Sequence, residues 1–145
     1  MERTRERLGT VRDWMSRNLV TVEPECALGE VLRLMIAQGV RHALVTERES
    51  VVGIFSFRDL SRLVVHSTHT DAASISVTRV MTEGPVTASP DTPLTDAAQV
   101  MLDRKIGTLP VVEEDRLIGI LTRSDVLEAL LRWAEKGAEL FVVRG

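Results

Sequence analysis

The chain has 145 residues, 44% of them hydrophobic and 27% charged, the balance of a globular domain that buries a core without disulfides. A formal net charge of −3 and an aromatic content of 3%, with no tyrosine, give no global pull toward nucleic acid and no stacking platform for single strands. No apolar run reaches the length of a membrane span, the charged MERTRERLGT start lacks the apolar stretch of a secretory signal, and the lone Cys26 excludes an intrachain disulfide or a CxxC pair.

A cytoplasmic protein is therefore the expectation. Residues 1–9 read as a solvated tail in which Arg3, Arg5 and Arg7 interleave with Glu2 and Glu6. NLVTVEP, residues 18–24, is a short apolar segment closed by proline and reads as a strand and turn. Leu28, Val31, Leu32 and Met35 fall at i, i+3, i+4 and i+7, the spacing of a helix with one buried face. HALVT and SVVGIF follow as two strands, joined into a hairpin by the polar turn ERE. A second helix is expected from Ser56 through DLSRLVVH, and the polar stretch HSTHTDAAS reads as a linker. His66, His69 and Asp71 lie there at loose metal-ligand spacing, a pattern common by chance in polar linkers, and no metal site is expected.

The order then recurs. GPVTASP reads as a strand, and Leu94, Ala97, Ala98 and Met101 as a one-faced helix, with Thr92, Thr95 and Asp96 as candidates to cap it. LPVVE and RLIGIL form the next pair of strands around EDR, and a final helix runs from Thr122 through SDVLEALLRWAEKG, with Gly137 as its stop. The fold class is α+β, a tandem duplicated β-α-β-β-α unit. Sliding residues 11–60 onto 77–126, an offset of 66, needs no gap and gives twelve identities, among them Val11/Val77, Met15/Met81, Met35/Met101, Gly53/Gly119 and Asp59/Asp125. Composition alone gives roughly three in fifty.

Each copy ends its last strand on a glycine, a hydroxyl and an acid: GIFSFRD and GILTRSD. The hydroxyl and the acid three residues on have the spacing of a capping box, which satisfies free amides at a helix start. The same atoms suit a ligand, because a helix N-terminus attracts phosphate and an ionised aspartate accepts from two vicinal ribose hydroxyls. Duplication copies a cap as faithfully as a site, and both readings stay open. There is no nucleophile elbow, Walker loop, HExxH or dinucleotide fingerprint, so no enzymatic activity is expected.

The pattern TVRDWM, VTVEP, HALV, VVGIFSFRD, repeated as SVTRVM, VTASP, GTLPVV, LIGILTRSD, resembles the CBS-domain family. The two copies look like a CBS pair, also called a Bateman module, over residues 10 to about 133. The resemblance implies one unit at 10–65 and another at 76–137, joined by a linker at 66–75 and flanked by tails at 1–9 and 138–145. It further implies two clefts, assembled between the units, that commonly take adenosine-containing ligands.

By that resemblance one cleft combines Ser56, Arg58 and Asp59 with Ser76, Met81 and Gly107, and the other combines Thr122, Arg123 and Asp125 with Thr10, Met15 and Arg41. Thr10 or Ser76 would read an adenine edge, and Met15 or Met81 would either wall the base or pack the core. The aspartates would hold ribose, and Arg41, Arg58 and Arg123 would take phosphate. Leu44 against Pro110, Trp14 against Val80 and Phe57 against Arg123 make the clefts unequal, and His42 is expected with Arg41 at the Asp125 site. The implied function is a stand-alone sensor of AMP, ADP or ATP, with S-adenosylmethionine or NAD as other ligands, signalling in trans to an unidentified protein target. Apolar final helices, Leu60, Leu63 and Val64 with Val126, Leu127, Leu130, Leu131 and Trp133, point to a homodimer. The alternative is a dimerisation module with empty or vestigial clefts; membrane and nucleic acid are not expected as partners.

Overall fold

The computed structural model describes residues 8–64 and 71–136. In chain order these form α1 (Val11–Trp14), β1 (Thr21–Val22), α2 (Leu28–Gln38), β2 (His42–Glu47), β3 (Ser50–Ser56), α3 (Ser61–Val64), β4 (Thr82–Glu83), α4 (Leu94–Arg104), β5 (Thr108–Glu113), β6 (Arg116–Thr122) and α5 (Arg123–Glu135). Turns of 3₁₀ helix cover Phe57–Leu60, Ala72–Ser74 and Val77–Arg79. The fold is α+β. Among the described residues no helix is long and apolar enough to cross a membrane.

The sequence periods translate directly into burial. Helix α2 buries Leu28, Val31 and Met35, and α4 buries Leu94, Ala97 and Met101, one stripe each. Both helices end on a left-handed residue, Gly39 at φ 66° and Lys105 at φ 56°. The β2–β3 and β5–β6 hairpins turn through Arg48–Glu49 and Glu114–Asp115, all four at positive φ, the geometry whose twist matches that of the flanking strands.

The first sheet has the order β1-β2-β3-β4, with β1 parallel to β2 and the other pairs antiparallel. The second repeats this plan around β5 and β6, but its outer positions shrink to single bridges, Ala88 with Val111 and Ser16 with Ile120. The expected strand in GPVTASP is thus reduced to one bridge. In the first copy the Leu44 N–H donates to the Val20 carbonyl at 2.8 Å; the equivalent residue is Pro110, which has no N–H to give. The expected caps on α4 also differ. Pro93 occupies the N-cap position with no side-chain bond, and the Thr95 hydroxyl is buried without a hydrogen-bond partner among the described residues.

The segment leading each unit crosses to the other. Val77, Val80 and Met81 lie in the core of Val20, Val31, Met35, Val45 and Phe55. Val11 joins Leu94, Met101, Leu109 and Leu121, with Leu8, Trp14 and Met15 packed against them. The backbone repeats the exchange: Val11 N–H donates to the Thr92 carbonyl (2.9 Å) and Leu94 N–H to the Gly9 carbonyl (3.0 Å). The same pair recurs as Val77 to Cys26 (2.9 Å) and Leu28 to Ile75 (2.8 Å).

The two helices expected after β3 and β6 begin differently. After β6 the chain makes thirteen residues of α-helix. After β3 it makes a 3₁₀ turn before α3 begins at Ser61, whose hydroxyl donates to the Arg58 carbonyl at 3.0 Å; the residues following Val64 lie outside the described ones. The expected stop at Gly137 lies outside the described residues.

The crossing segments explain the motif glycines. A Cβ on Gly53 would overlap the Met81 sulfur, and one on Gly119 would lie 2.7 Å from the Met15 sulfur and 3.0 Å from the Ser16 carbonyl oxygen. Gly53→Ala and Gly119→Ala should each cost about 1–3 kcal/mol in urea unfolding. The second should cost more, because one of its obstacles is backbone held in a bridge to Ile120. Unchanged stability in both variants would contradict this packing.

Candidate functional site

Ser56 and Thr122 close β3 and β6, and each stands three residues before its acid. Asp59 Oδ2 accepts the Ser56 N–H at 2.8 Å and its hydroxyl at 3.4 Å. Asp125 Oδ2 accepts the Thr122 N–H at 2.7 Å and its hydroxyl at 3.1 Å, while the Thr122 oxygen accepts the Asp125 N–H at 3.4 Å. The capping box therefore forms at both strand mouths and uses one carboxylate oxygen of each acid. The second oxygen, Oδ1, is not part of the cap. Both acids are half-buried, Asp125 against the start of the long helix α5.

Around these acids the crossing segments supply the walls. Met81 of the second unit lies on Gly53, and Met15 of the first lies on Gly119, both packed into cores. The Ser76 hydroxyl donates to the Pro24 carbonyl at 2.6 Å and lies 2.8 Å from the Thr78 hydroxyl. Thr10 belongs to a third box of the same kind, its N–H and hydroxyl 2.8 and 3.3 Å from Asp13 Oδ2. The hydroxyls that the resemblance assigned to an adenine edge are thus engaged by their own chain. Asp13 was legible in the spacing of Thr10-Val-Arg-Asp13, which repeats that of the two motifs.

The strand register groups the basic residues by unit. His42 pairs with Ser56 across β2 and β3, which sets Arg41 and His42 beside the motif of their own unit, where the charges of Asp59, Arg41 and Arg58 all act on the ring. Gly107 lies under the Arg123 guanidinium: a Cβ there would meet Nη2 at 3.0 Å, and the Gly107 carbonyl accepts the Arg123 N–H at 2.8 Å. The reason is local, since the residue before each hairpin is drawn to the end of its own antiparallel partner.

His42 also reaches across. Its Nε2 lies 3.1 Å from the Thr108 hydroxyl, and Thr108 pairs with Thr122. Residues 42 and 108 are equivalent positions in the repeat, so the contact lies on the pseudo-twofold axis, between the two strand mouths. At the other end of the hairpins Leu117 N–H donates to the Glu49 carbonyl (3.3 Å) and Arg116 pairs with Glu49 (3.0 Å). Burial pushes the His42 pKa down; Asp59 raises it, and Arg41 and Arg58 lower it further.

Desolvation, helped by Glu23, pushes the Cys26 thiol up and keeps it protonated near neutral pH. Among the described residues no group of three or more His, Cys, Asp or Glu side chains could hold a metal; His66 and His69 lie outside them.

Comparison with known proteins gives a consistent picture. A family model described as the CBS domain matches residues 11–66 and again 77–132. A CBS domain-containing protein of Dictyostelium discoideum is 30% identical over 136 residues, covering 86% of this chain and 93% of that protein. A homoserine O-acetyltransferase of Methanohalobium evestigatum is 30% identical over 118 residues, covering 80% of this chain and 23% of the enzyme. The chain thus spans about a quarter of that enzyme's length. The crystal structure of CBSX2 in complex with AMP is 31% identical, with a TM-score of 0.71, covering 87% of this chain and 98% of CBSX2.

The His42 environment sets a pH dependence. In the unfolded chain the imidazole protonates near its ordinary value, about 6.5, whereas the folded state resists the proton to a lower pH. The unfolded state binds more protons in that window, so stability falls as pH drops through about 6.5 and levels off below the depressed folded pKa. Between about pH 7.5 and about pH 5.5 the parent should lose more melting temperature than His42→Asn. Equal losses would remove His42 as the cause.

Proposed function

Because the chain belongs to the CBS-domain family, we propose that it is a ligand-sensing regulatory module that binds an adenine nucleotide of the AMP, ADP or ATP class at the strand mouths between its units. The observation that carries this reading is the division of labour in Asp125. One oxygen closes the cap of α5, and the other is left to accept ribose hydroxyls. Beside it the thirteen-residue helix presents its N-terminal amides, and Arg123 lies over Gly107 as a partner for phosphate. The AMP bound by CBSX2 supports the same ligand class.

Ligand at one mouth bears on residues of both units, since each mouth is walled by a segment that crosses from the other. Binding that favours one relative position of the units shifts their equilibrium, and the exposed surface changes with it. The response is passed in trans to a partner protein. A homodimer fits the outer face of α5, where Leu127, Leu130 and Leu131 are 59%, 43% and 60% exposed, while Val126 faces the core. Leu60 and Leu63 pack against the first core instead, and the side chain of Val64 lies outside the described residues.

A second reading, a dimerisation module with vestigial clefts, is favoured by one observation: both motif acids already serve complete caps. Ligand binding separates the two. A thermal-shift panel of AMP, ADP, ATP, NAD, S-adenosylmethionine and GTP should show an adenine nucleotide raising the melting temperature of the parent but not of the Asp59→Ala, Asp125→Ala double variant. At a hundred times the dissociation constant the gain is about 2.7 kcal/mol. No shift at millimolar concentration would favour the second reading. Under either reading Leu131→Glu should turn a sedimenting dimer into a monomer, and a parent chain that is monomeric at micromolar concentration would overturn the dimer.

A further inference from the structure

The two mouths occupy equivalent places in the repeat, yet among the described residues only one has a cation from its own helix set against its acid. Arg62 stands three residues after Asp59. Its Nη1 donates to the carbonyls of Val80 and Met81, each at 3.2 Å, and its Nη2 lies 3.8 Å from Asp59 Oδ1. That oxygen is the one the Ser56 cap leaves over. The Asp59 side chain is 12% exposed and the Arg62 side chain 54%, so the acid is largely desolvated while the cation is partly screened by solvent. The guanidinium is pinned by two main-chain acceptors on the crossing segment of the facing unit, which holds it in place beside the acid.

At the same position in the second copy stands Glu128. It turns along its own helix, where its Oε1 accepts from Arg132 Nε at 3.2 Å and Nη2 at 3.0 Å. Among the described residues no ion pair reaches Asp125, and its Oδ1 accepts no hydrogen bond. The helix behind each mouth differs as well. A 3₁₀ turn, Phe57–Leu60, follows Ser56 before α-helix begins at Ser61, whereas α-helix begins directly after Thr122, so at the second mouth the free amides open an α-helix and at the first a 3₁₀ turn.

We infer that the protein has one working adenine-nucleotide cleft, built on Thr122, Arg123 and Asp125, and that Arg62 is the internal occupant that closes the other. It does so by holding the oxygen of Asp59 that a ribose would need, and it also latches α3 to the segment crossing from the second unit. This rests on the ligand-binding reading above and adds to it the stoichiometry and the residue that sets it.

Calorimetric titration of the full chain with AMP, and in parallel with S-adenosylmethionine, tests the inference. The parent should take one equivalent. Arg62→Met should take a second. Glu128→Arg, a change at an exposed helix position that copies the occupant into the working cleft, should weaken the parent site by about tenfold or more. If loss of the latch prevents Arg62→Met from folding, Glu128→Arg carries the test alone. A parent that takes two equivalents of similar affinity would overturn the inference, as would a folded Arg62→Met that still takes one, or a Glu128→Arg that binds like the parent. Absence of binding in every variant would instead overturn the ligand-binding reading, and this inference with it, an outcome distinct from two equal sites.

Discussion

The structure depends on a reciprocal exchange. Each unit sends the segment before its first strand into the core of the other, Val77, Val80 and Met81 in one direction and Val11 with Trp14 and Met15 in the other. A fully buried valine or methionine contributes about 1.5–3 kcal/mol, so the exchanged side chains are worth as much as the net stability of a small domain. Neither repeat closes its core from its own residues. The repeat in sequence is therefore not the unit of packing, and the two halves fold as one body.

That exchange also builds the mouths. It brings Met81 down on Gly53 and Met15 on Gly119, and only glycine permits the approach. It sets the equivalent residues His42 and Thr108 against each other on the pseudo-twofold axis, each the strand partner of a motif hydroxyl residue. A cap and a ligand site use the same hydroxyl and acid without conflict, because a carboxylate has two oxygens and the cap engages one. Structural need keeps the motif in both copies, while its surroundings differ between them.

The differences follow from single residues. Pro110 in place of Leu44 removes one donor and shortens a sheet edge to a bridge. Ser61, at the position of Leu127, brings a hydroxyl that donates to the Arg58 carbonyl where a 3₁₀ turn replaces the start of the α-helix. Arg62, at the position of Glu128, puts a cation on one acid and not on the other. Each is a local change in donors, acceptors or charge, and together they make a symmetric backbone carry an asymmetric pair of sites.

Much of this was legible in the chain itself: the duplication at an offset of 66, the buried stripes of α2 and α4, the two hairpins and the capping spacing of Ser56 with Asp59 and Thr122 with Asp125. These follow from periodicity and from contacts three or four residues apart, which a linear sequence displays. What it does not display is which unit each segment serves. The resemblance to a family, not the spacing, assigned Met15 and Met81 to the facing unit, and that Gly107 lies under Arg123, that His42 meets Thr108 and that Arg62 reaches Val80 and Met81 were decided by the tertiary structure alone. Those contacts join residues many positions apart, and their partners are selected by how two sheets pack about an axis rather than by any spacing along the chain.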